Sequence, residues 1–313
     1  MKAPVDTWTV ADIPDQAGRT AVVTGPSLGG LGHHTALELA RRGARVVLAG
    51  RTAAKLDETA AAITEEVPAA ALDRLVVDLS DLGSVRAAGA DAERFGPIDL
   101  LVNNAGVMGT RRRRTVDDLD LQLATNHFGP FLLTGLLLPQ LVASGAATVV
   151  TVSSLYHYYG GRAPLGDPTR HGRGLYRKWH VYGQSKLANL LFTAELDHRC
   201  REDGVPVKAL AAHPGFAGTH LAANGQYGRS SGGIASILDA AIRAVSQPAA
   251  AGAWPTLMAA TADLPGASFV GPSGPGEFGG TPQVTAGSSA ARDPEAGRAL
   301  WELSERTTGI TYP

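Results

Sequence analysis

Cysteine is almost absent. Cys200 is the single one in 313 residues, so no internal disulfide can form, and a reducing, cytoplasmic setting is expected. Neither charge is in excess. The 28 Lys and Arg stand against 29 Asp and Glu, a net charge of −1, which leaves no footprint for nucleic acid or an anionic membrane surface. No His/Cys cluster has metal-ligand spacing, so no metal is expected. Residues 1–6 lack the apolar run of a secretory signal. A membrane span is missing too. Residues 125–161 carry no Asp, Glu, Lys or Arg, but Asn126-His127 open the apolar part and Pro139-Gln140 interrupt it. Ser144-Gly145 end it short of the roughly 20 residues a span needs.

Glycine is abundant. There are 38 among 313 residues, about 12% against a usual share of about 7%, with 19 prolines and no triplet period, so collagen is excluded. Apolar residues make up 44% and charged residues 18%, which excludes a disordered chain and permits a full core. The surplus glycine therefore marks special backbone positions.

β-branched runs alternate with Ala/Leu-rich segments. The runs are 20–24, 45–49, 75–79, 98–103, 147–153 and 205–211, with a last strand at 267–270. Helices are expected near 31–42, 52–66, 81–95, 116–143, 181–203, 231–246, 249–261 and 294–305, and a Gly/Pro loop at 272–280. Strands that are apolar throughout are buried on both faces. Their alternation with helices predicts an α/β, Rossmann-type, doubly wound and mostly parallel sheet. The expected organisation is one domain over 1–313, with a substrate loop near 216–236 and a C-terminal extension over 265–313.

The first strand runs into Gly25-Pro26-Ser27-Leu28-Gly29-Gly30-Leu31-Gly32, and a helix follows. Glycines there let the backbone approach a pyrophosphate, which sits on the positive end of the helix. Gly25-Pro26-Ser27-Leu28-Gly29 also fits the G-x-S-x-G elbow of serine hydrolases. Against that reading, the elbow would follow the first evident strand, with no earlier loop to complete an oxyanion hole. The second strand ends in Gly50-Arg51, where an acid would hold a ribose 2′-hydroxyl. Arg51 suits a 2′-phosphate instead, favouring NADP(H) over NAD(H); a solvated arginine is the plain alternative.

Tyr182 and Lys186 stand four apart, on one helix face. A neighbouring ammonium stabilises phenolate and brings tyrosine toward acid/base work. The chain also has Asn103-Asn104-Ala105-Gly106 after a strand, Asn126 in a helix, Ser153-Ser154 at a strand end, and His213-Pro214-Gly215. This set, in this order, resembles the short-chain dehydrogenase/reductase family from about Gly18 to Gly309. Ser153-Ser154-Leu155-Tyr156-His157, the long insert before Tyr182 and the ending Leu300-Trp301-Glu302-Leu303-Ser304 resemble its retinol-dehydrogenase-like members and their bacterial relatives most.

The resemblance implies a tetrad of Asn126, Ser154, Tyr182 and Lys186. Tyr182 would exchange a proton with the substrate oxygen and Ser154 would hold that oxygen. Lys186 would bind the nicotinamide ribose and depress the Tyr182 pKa, and Asn126 would hold a water linking Lys186 to solvent. Gly25, Ser27, Gly30, Leu31 and Gly32 would form the phosphate loop, with Arg51, Asp78 and Leu79 at the adenosine side. Asn104, Ala105 and Gly106 would line the ribose and nicotinamide side, and Pro214, Gly215 and Thr219 the nicotinamide end. The chain departs from the family's T-G-x-x-x-G-x-G at one place: one extra residue separates Gly25 from Gly30, and Pro26 removes an amide donor.

Tyr156, His157 and His180 are the substrate candidates, as sequence neighbours of Ser154 and Tyr182. The basic segment 155–181 fits an anionic substrate or a solvated loop, and Arg111–Arg114 reads as a solvated loop. Cys200 reads as structural. The apolar helix 128–141 should pack under the sheet and, with 181–203, at a homodimer or homotetramer interface. The expected function is NADP(H)-dependent interconversion of an alcohol and a carbonyl on a rather apolar small molecule. A non-redox protein on the same scaffold and the hydrolase are the alternatives.

Overall fold

The β-branched runs pair into one sheet. The computed structural model describes residues 8–161, 166–169, 175–215 and 247–313. The strands are β1 (Thr20–Thr24), β2 (Arg45–Gly50), β3 (Leu72–Val76), β4 (Leu100–Asn103), β5 (Ala147–Val152), β6 (Val207–Ala212), β7 (Phe269–Pro272) and β8 (Pro282–Thr285). Their order is β3-β2-β1-β4-β5-β6-β7-β8, parallel throughout except that β8 runs antiparallel to β7. The helices described are α1 (Leu31–Arg41), α2 (Ala53–Glu66), α3 (Leu82–Ala92), α4 (Leu121–Leu123), α5 (Gly129–Ala143), α6 (Lys178–Glu202), α7 (Ala249–Gly252), α8 (Trp254–Thr261) and α9 (Pro294–Thr308).

Every residue of β1 is buried because helices cover both faces of the sheet. Val22 and Leu101 face one apolar cluster, with α3, α5, α6 and Trp301. Ala21, Val23 and Val102 face the other, with α1, α2 and α8. This alternation is the period of two that strand geometry imposes.

Several boundaries differ from expectation, each for a local reason. The third strand is Leu72–Val76, not 75–79, because it pairs with β2 from Val46↔Leu72 to Gly50↔Val76. As an edge strand it leaves Arg74 and Val76 exposed, so its signature is not a continuous apolar run. The helix expected from 116 starts at Leu121, where Asp120 Oδ1 accepts from the amides of Gln122 (2.9 Å) and Leu123 (3.2 Å). It then widens into a π-helical turn, Ala124–Phe128, before α5. The expected segment 249–261 divides into α7 and α8. β8 had no advance signal, since glycine and proline flank it. The expected helix 231–246, the substrate loop 216–236 and Thr219 lie outside the described residues.

Parts of α5 and α6 are covered by the chain itself. A Cβ at Gly135 would meet Tyr312 at 2.5 Å, and one at Gly89 of α3 would meet Leu136 at 2.9 Å. On α6, Phe192 stacks on Trp301 of α9 (centroids 5.9 Å apart, 22°), and the Arg199 guanidinium lies 4.6 Å from the centre of the same indole. Trp301 is fully buried. Truncating such a residue costs about 3–5 kcal/mol. Cys200 is buried beside them, with its thiol pushed up to about 11 by burial, as a structural thiol should be.

Candidate active site

The strand order reverses direction at β1, whose neighbours are β2 and β4, and α/β sheets open a ligand crevice at such a switch point. Thr24, the last residue of β1, fastens it. Its Oγ1 donates to Val102 O (3.2 Å) and accepts from the amides of Asn104 (3.0 Å) and Ala105 (3.0 Å). Asn104 Nδ2 donates in turn to Thr24 O (2.7 Å) and Gly25 O (3.1 Å). The glycine loop and the end of β4 are thereby held edge to edge.

That closeness requires glycine. Gly25 has φ +66°, and a Cβ there would lie 2.8 Å from Ala105 Cα. A Cβ at Gly32 would lie 2.4 Å from Asn104 Nδ2 and 2.7 Å from Gly25 O. The extra residue is absorbed in a turn: Gly30 N donates to Ser27 O (2.9 Å), Gly29 adopts φ +72°, and Gly29 N donates to His33 Nδ1 (3.3 Å). Gly30 still caps α1, and no side chain caps the helix start. Its amides are open to an anion. The cradle therefore fits a dinucleotide pyrophosphate, the insertion notwithstanding.

Just beyond β2, Arg51 is exposed and its Nη1 lies 3.8 Å from Asp78 Oδ2. Asp78 Oδ1 is fixed by Ser80 through its amide (2.9 Å) and hydroxyl (2.6 Å). Leu79 is buried, with its carbonyl against Gly129.

Asn126 is tied to the chain just after β4, and Ser154, Tyr182 and Lys186 gather at the end of β5. β5 delivers Ser154, which caps the short turn Leu155–Tyr159 by accepting from Tyr156 N (3.3 Å). Tyr182 and Lys186 project from α6, both buried. The Ser154 hydroxyl lies beside the Tyr182 phenol and acts to lower its pKa. Lys186 Nζ donates to Val152 O (2.9 Å) and lies 5.8 Å from the Tyr182 ring centre. Asn126 sits in the π-helical turn, where Oδ1 accepts from Val107 N (2.7 Å) and Nδ2 donates to Val107 O (2.9 Å) and Ser185 Oγ (2.9 Å). Gly106 lies against both groups: a Cβ there would meet Asn126 Oδ1 at 3.1 Å and Lys186 Nζ at 3.5 Å.

Burial dominates the electrostatics. It pushes Tyr182 up to about 12, with the Ser154 hydrogen bond pulling the other way, and brings Lys186 down to about 8. The expected depression of Tyr182 by Lys186 is not seen. Removal from water penalises the phenolate, and the ammonium turns to Val152 O.

The sequence profile of the short chain dehydrogenase family matches residues 19–163. Human retinol dehydrogenase 13 is 36% identical over 300 residues, covering 95% of this chain and 86% of that protein. The chain belongs to the short-chain dehydrogenase/reductase family. Mouse polyprenol dehydrogenase is 42% identical over 214 residues, which span 67% of this chain and 63% of that protein. Among solved structures, a Mycobacterium paratuberculosis protein matches with a TM-score of 0.79 and 42% identity over 98% of this chain and 99% of that one. A Beutenbergia cavernae protein described as an NAD(P)-dependent gluconate 5-dehydrogenase, solved with NADP at low occupancy, matches with a TM-score of 0.58 and 26% identity over 78% and 90% of the two chains. As a member of this family the chain is an oxidoreductase that binds NAD(P)(H) and a small-molecule substrate.

The remaining expected residues of this dehydrogenase/reductase divide. Tyr156 is half-buried beside Tyr182, with rings 5.5 Å apart, and stacks on Trp179 (5.3 Å, 28°). His180 is exposed and its Nδ1 lies 2.9 Å from Tyr159 O. His157 is buried with both ring nitrogens engaged by the backbone, so it is not on a substrate surface. Pro214 O accepts from Gln247 Nε2 (2.6 Å), and Gly215 has φ +65° with its amide donating to His213 Nδ1 (3.2 Å). Arg111–Arg114 are exposed; Arg112 lies over Tyr176 (5.3 Å) and Arg114 pairs with Asp118 (2.9 Å). Among the described residues no His/Cys/Asp/Glu group could hold a metal, and no helix is long and apolar enough to cross a membrane.

Sequence reasoning missed Ser185, Ser153 and Trp179. Ser185 Oγ accepts from Asn126 and donates to Tyr182 O (2.7 Å). Ser153 Oγ donates to Lys186 O (2.8 Å). Trp179 covers Gly109, where a Cβ would lie 2.9 Å from its ring. Ser185 and Ser153 adjoin tetrad members in sequence, the one signal that could have found them.

Proposed function

We propose that this chain interconverts an alcohol and a carbonyl on a rather apolar small molecule with NADP(H), with Tyr182 as general acid/base. The observation that carries this reading is the meeting of Asn126 and Lys186 at Gly106, after β4, with Tyr182 one turn from Lys186 on α6 (ring centre 5.8 Å from Nζ) and Ser154 beside the Tyr182 phenol. A nicotinamide cofactor supplies or accepts the hydride when bound. In reduction Tyr182 gives its phenolic proton to the substrate oxygen, and in oxidation it takes that proton back. The Ser154 hydroxyl holds the same oxygen and fixes its direction. Lys186, as ammonium, would hold ribose hydroxyls of the bound cofactor. Asn126 holds a water that connects Lys186 to solvent.

Arg51 supports NADP(H) over NAD(H), being an exposed guanidinium where an acid would select the ribose hydroxyl. Gly25, Ser27, Gly30, Leu31 and Gly32 would hold the pyrophosphate. Asp78 and Leu79 would hold the adenine, Asn104 to Gly106 the ribose side, and Pro214, Gly215 and Thr219 the nicotinamide end. Tyr156 and Trp179, stacked beside Tyr182, support an apolar substrate. The relatives' named alcohols, retinol and polyprenol, are largely hydrocarbon.

Titration of the protein with NADPH and NADH, followed by nicotinamide fluorescence, tests the cofactor. A screen of aldehydes, ketones and secondary alcohols, retinal first, tests the reaction, with Tyr182→Phe as control. Tighter binding of NADPH and Tyr182-dependent turnover are expected. Binding of neither nucleotide overturns the reading.

A further inference from the structure

His157 lies three residues beyond Ser154, and its ring is 1% exposed. Two backbone groups meet it. Ser288 N lies 3.2 Å from Nε2, and Ser154 O lies 2.8 Å from Nδ1. A backbone amide can only donate, so Nε2 carries the lone pair. The proton is therefore on Nδ1, which donates to the Ser154 carbonyl. The ring is fixed by Phe269, which meets it edge-on (5.7 Å, 87°), and by Tyr158 (4.1 Å). Tyr158 OH adds a longer link from the same turn to Ala286 O (3.5 Å).

We propose that His157 is a positioning residue. Its neutral, Nδ1-protonated ring locks the Ser154 carbonyl to the C-terminal segment at Ser288 and so aims the Ser154 hydroxyl. The inference rests on the reading of Ser154 and Tyr182 as the pair that handles the substrate oxygen. Ser154 itself is extended (φ −162°, ψ 156°), and its hydroxyl both caps the following turn and meets Tyr182. A hydroxyl shared in this way depends on where its own backbone is held. The carbonyl bond to His157 is the link between that backbone and the far end of the chain, 131 residues on.

Side-chain mimicry separates the two ends of the ring. His157→Asn keeps a donor near the Nδ1 position, toward Ser154 O. His157→Gln keeps a group near Nε2, toward Ser288 N. kcat and KM are measured for NADPH with the fastest carbonyl substrate of the screen, alongside NADPH affinity, a thermal melt, and Tyr182→Phe. Gln is expected to lower kcat by about 10- to 100-fold, the scale of an ångström-sized misplacement. Its substrate KM and NADPH affinity should stay near wild type. Asn should recover most of kcat, although it is no more stable than Gln. Equal kcat in the Asn and Gln variants, or a Gln variant at wild-type kcat, overturns the inference. A Tyr182→Phe enzyme that still turns over overturns the underlying reading instead, and the two failures are distinct.

Discussion

Asn126 Nδ2 donates to Ser185 Oγ at 2.9 Å, and Ser185 Oγ donates on to the carbonyl of Tyr182 at 2.7 Å. One hydroxyl thus ties the π-helical turn to the helix that carries Tyr182 and Lys186. In Ser185→Ala one amide proton of buried Asn126 loses its partner. A buried unmet donor costs about 1–3 kcal/mol. The expected result is a melting temperature a few degrees lower with kcat reduced, read by thermal unfolding and initial rates. Unchanged stability and rate would contradict the link.

The glycine loop gives a binding prediction. In Gly32→Ala the new methyl must displace Asn104 Nδ2 or Gly25 O, 2.4 and 2.7 Å from the Cβ position. In Gly25→Ala the strain is also conformational, since φ is +66°. Both variants should lose nucleotide affinity by at least about tenfold, the scale of one charge-assisted hydrogen bond at about 1.5–3 kcal/mol. Fluorescence titration with NADPH checks it.

Arg51 gives a selectivity prediction. The Arg51→Ala change removes the guanidinium 3.8 Å from Asp78. NADPH affinity should fall by about 10- to 100-fold, the range of a hydrogen bond to a charged group. NADH affinity should hardly change. Parallel titrations with the two nucleotides decide it, and equal losses would show that Arg51 reads nothing specific to the 2′-phosphate.

Lys186 gives a pH prediction. Burial lowers it from 10.5 to about 8 in the folded protein. Between those values the unfolded chain holds more protons at this residue than the folded one, so stability from Lys186 rises with pH across that window. Relative to Lys186→Met, wild type should gain up to about 1.4 kcal/mol per pH unit there. Denaturant unfolding at pH 7 and 9.5 measures it. The reductive kcat/KM should fall as pH rises through about 8, where the ammonium is lost. For Tyr182, raised to about 12, stability is fully present below pH 10 and declines above it.

Much of the fold was legible because burial leaves a direct mark on sequence. β1, β2 and β5 are buried almost throughout and read as unbroken apolar runs. β3 and β8 were displaced or missed because edge strands expose alternate residues, and Val76 and Val284 face solvent. Asn126, Ser154, Tyr182 and Lys186 could be named from spacing and family resemblance. What spacing could not give was the direction of the Tyr182 shift, which depends on burial by residues far away in sequence. His157 shows the same limit. Adjacency to Ser154 suggested substrate contact, while Ser288, far along the chain, turns the ring into the interior.

The central claim is that Tyr182 moves the proton while a bound nicotinamide moves the hydride. The most direct measurement is the rate of NADPH oxidation by wild type and Tyr182→Phe with the same apolar aldehyde or ketone, with NADPH affinity measured on both. The account predicts a fall of about 10²- to 10⁴-fold in rate, the contribution typical of a general acid, with affinity nearly unchanged. Equal rates in the two proteins would contradict it.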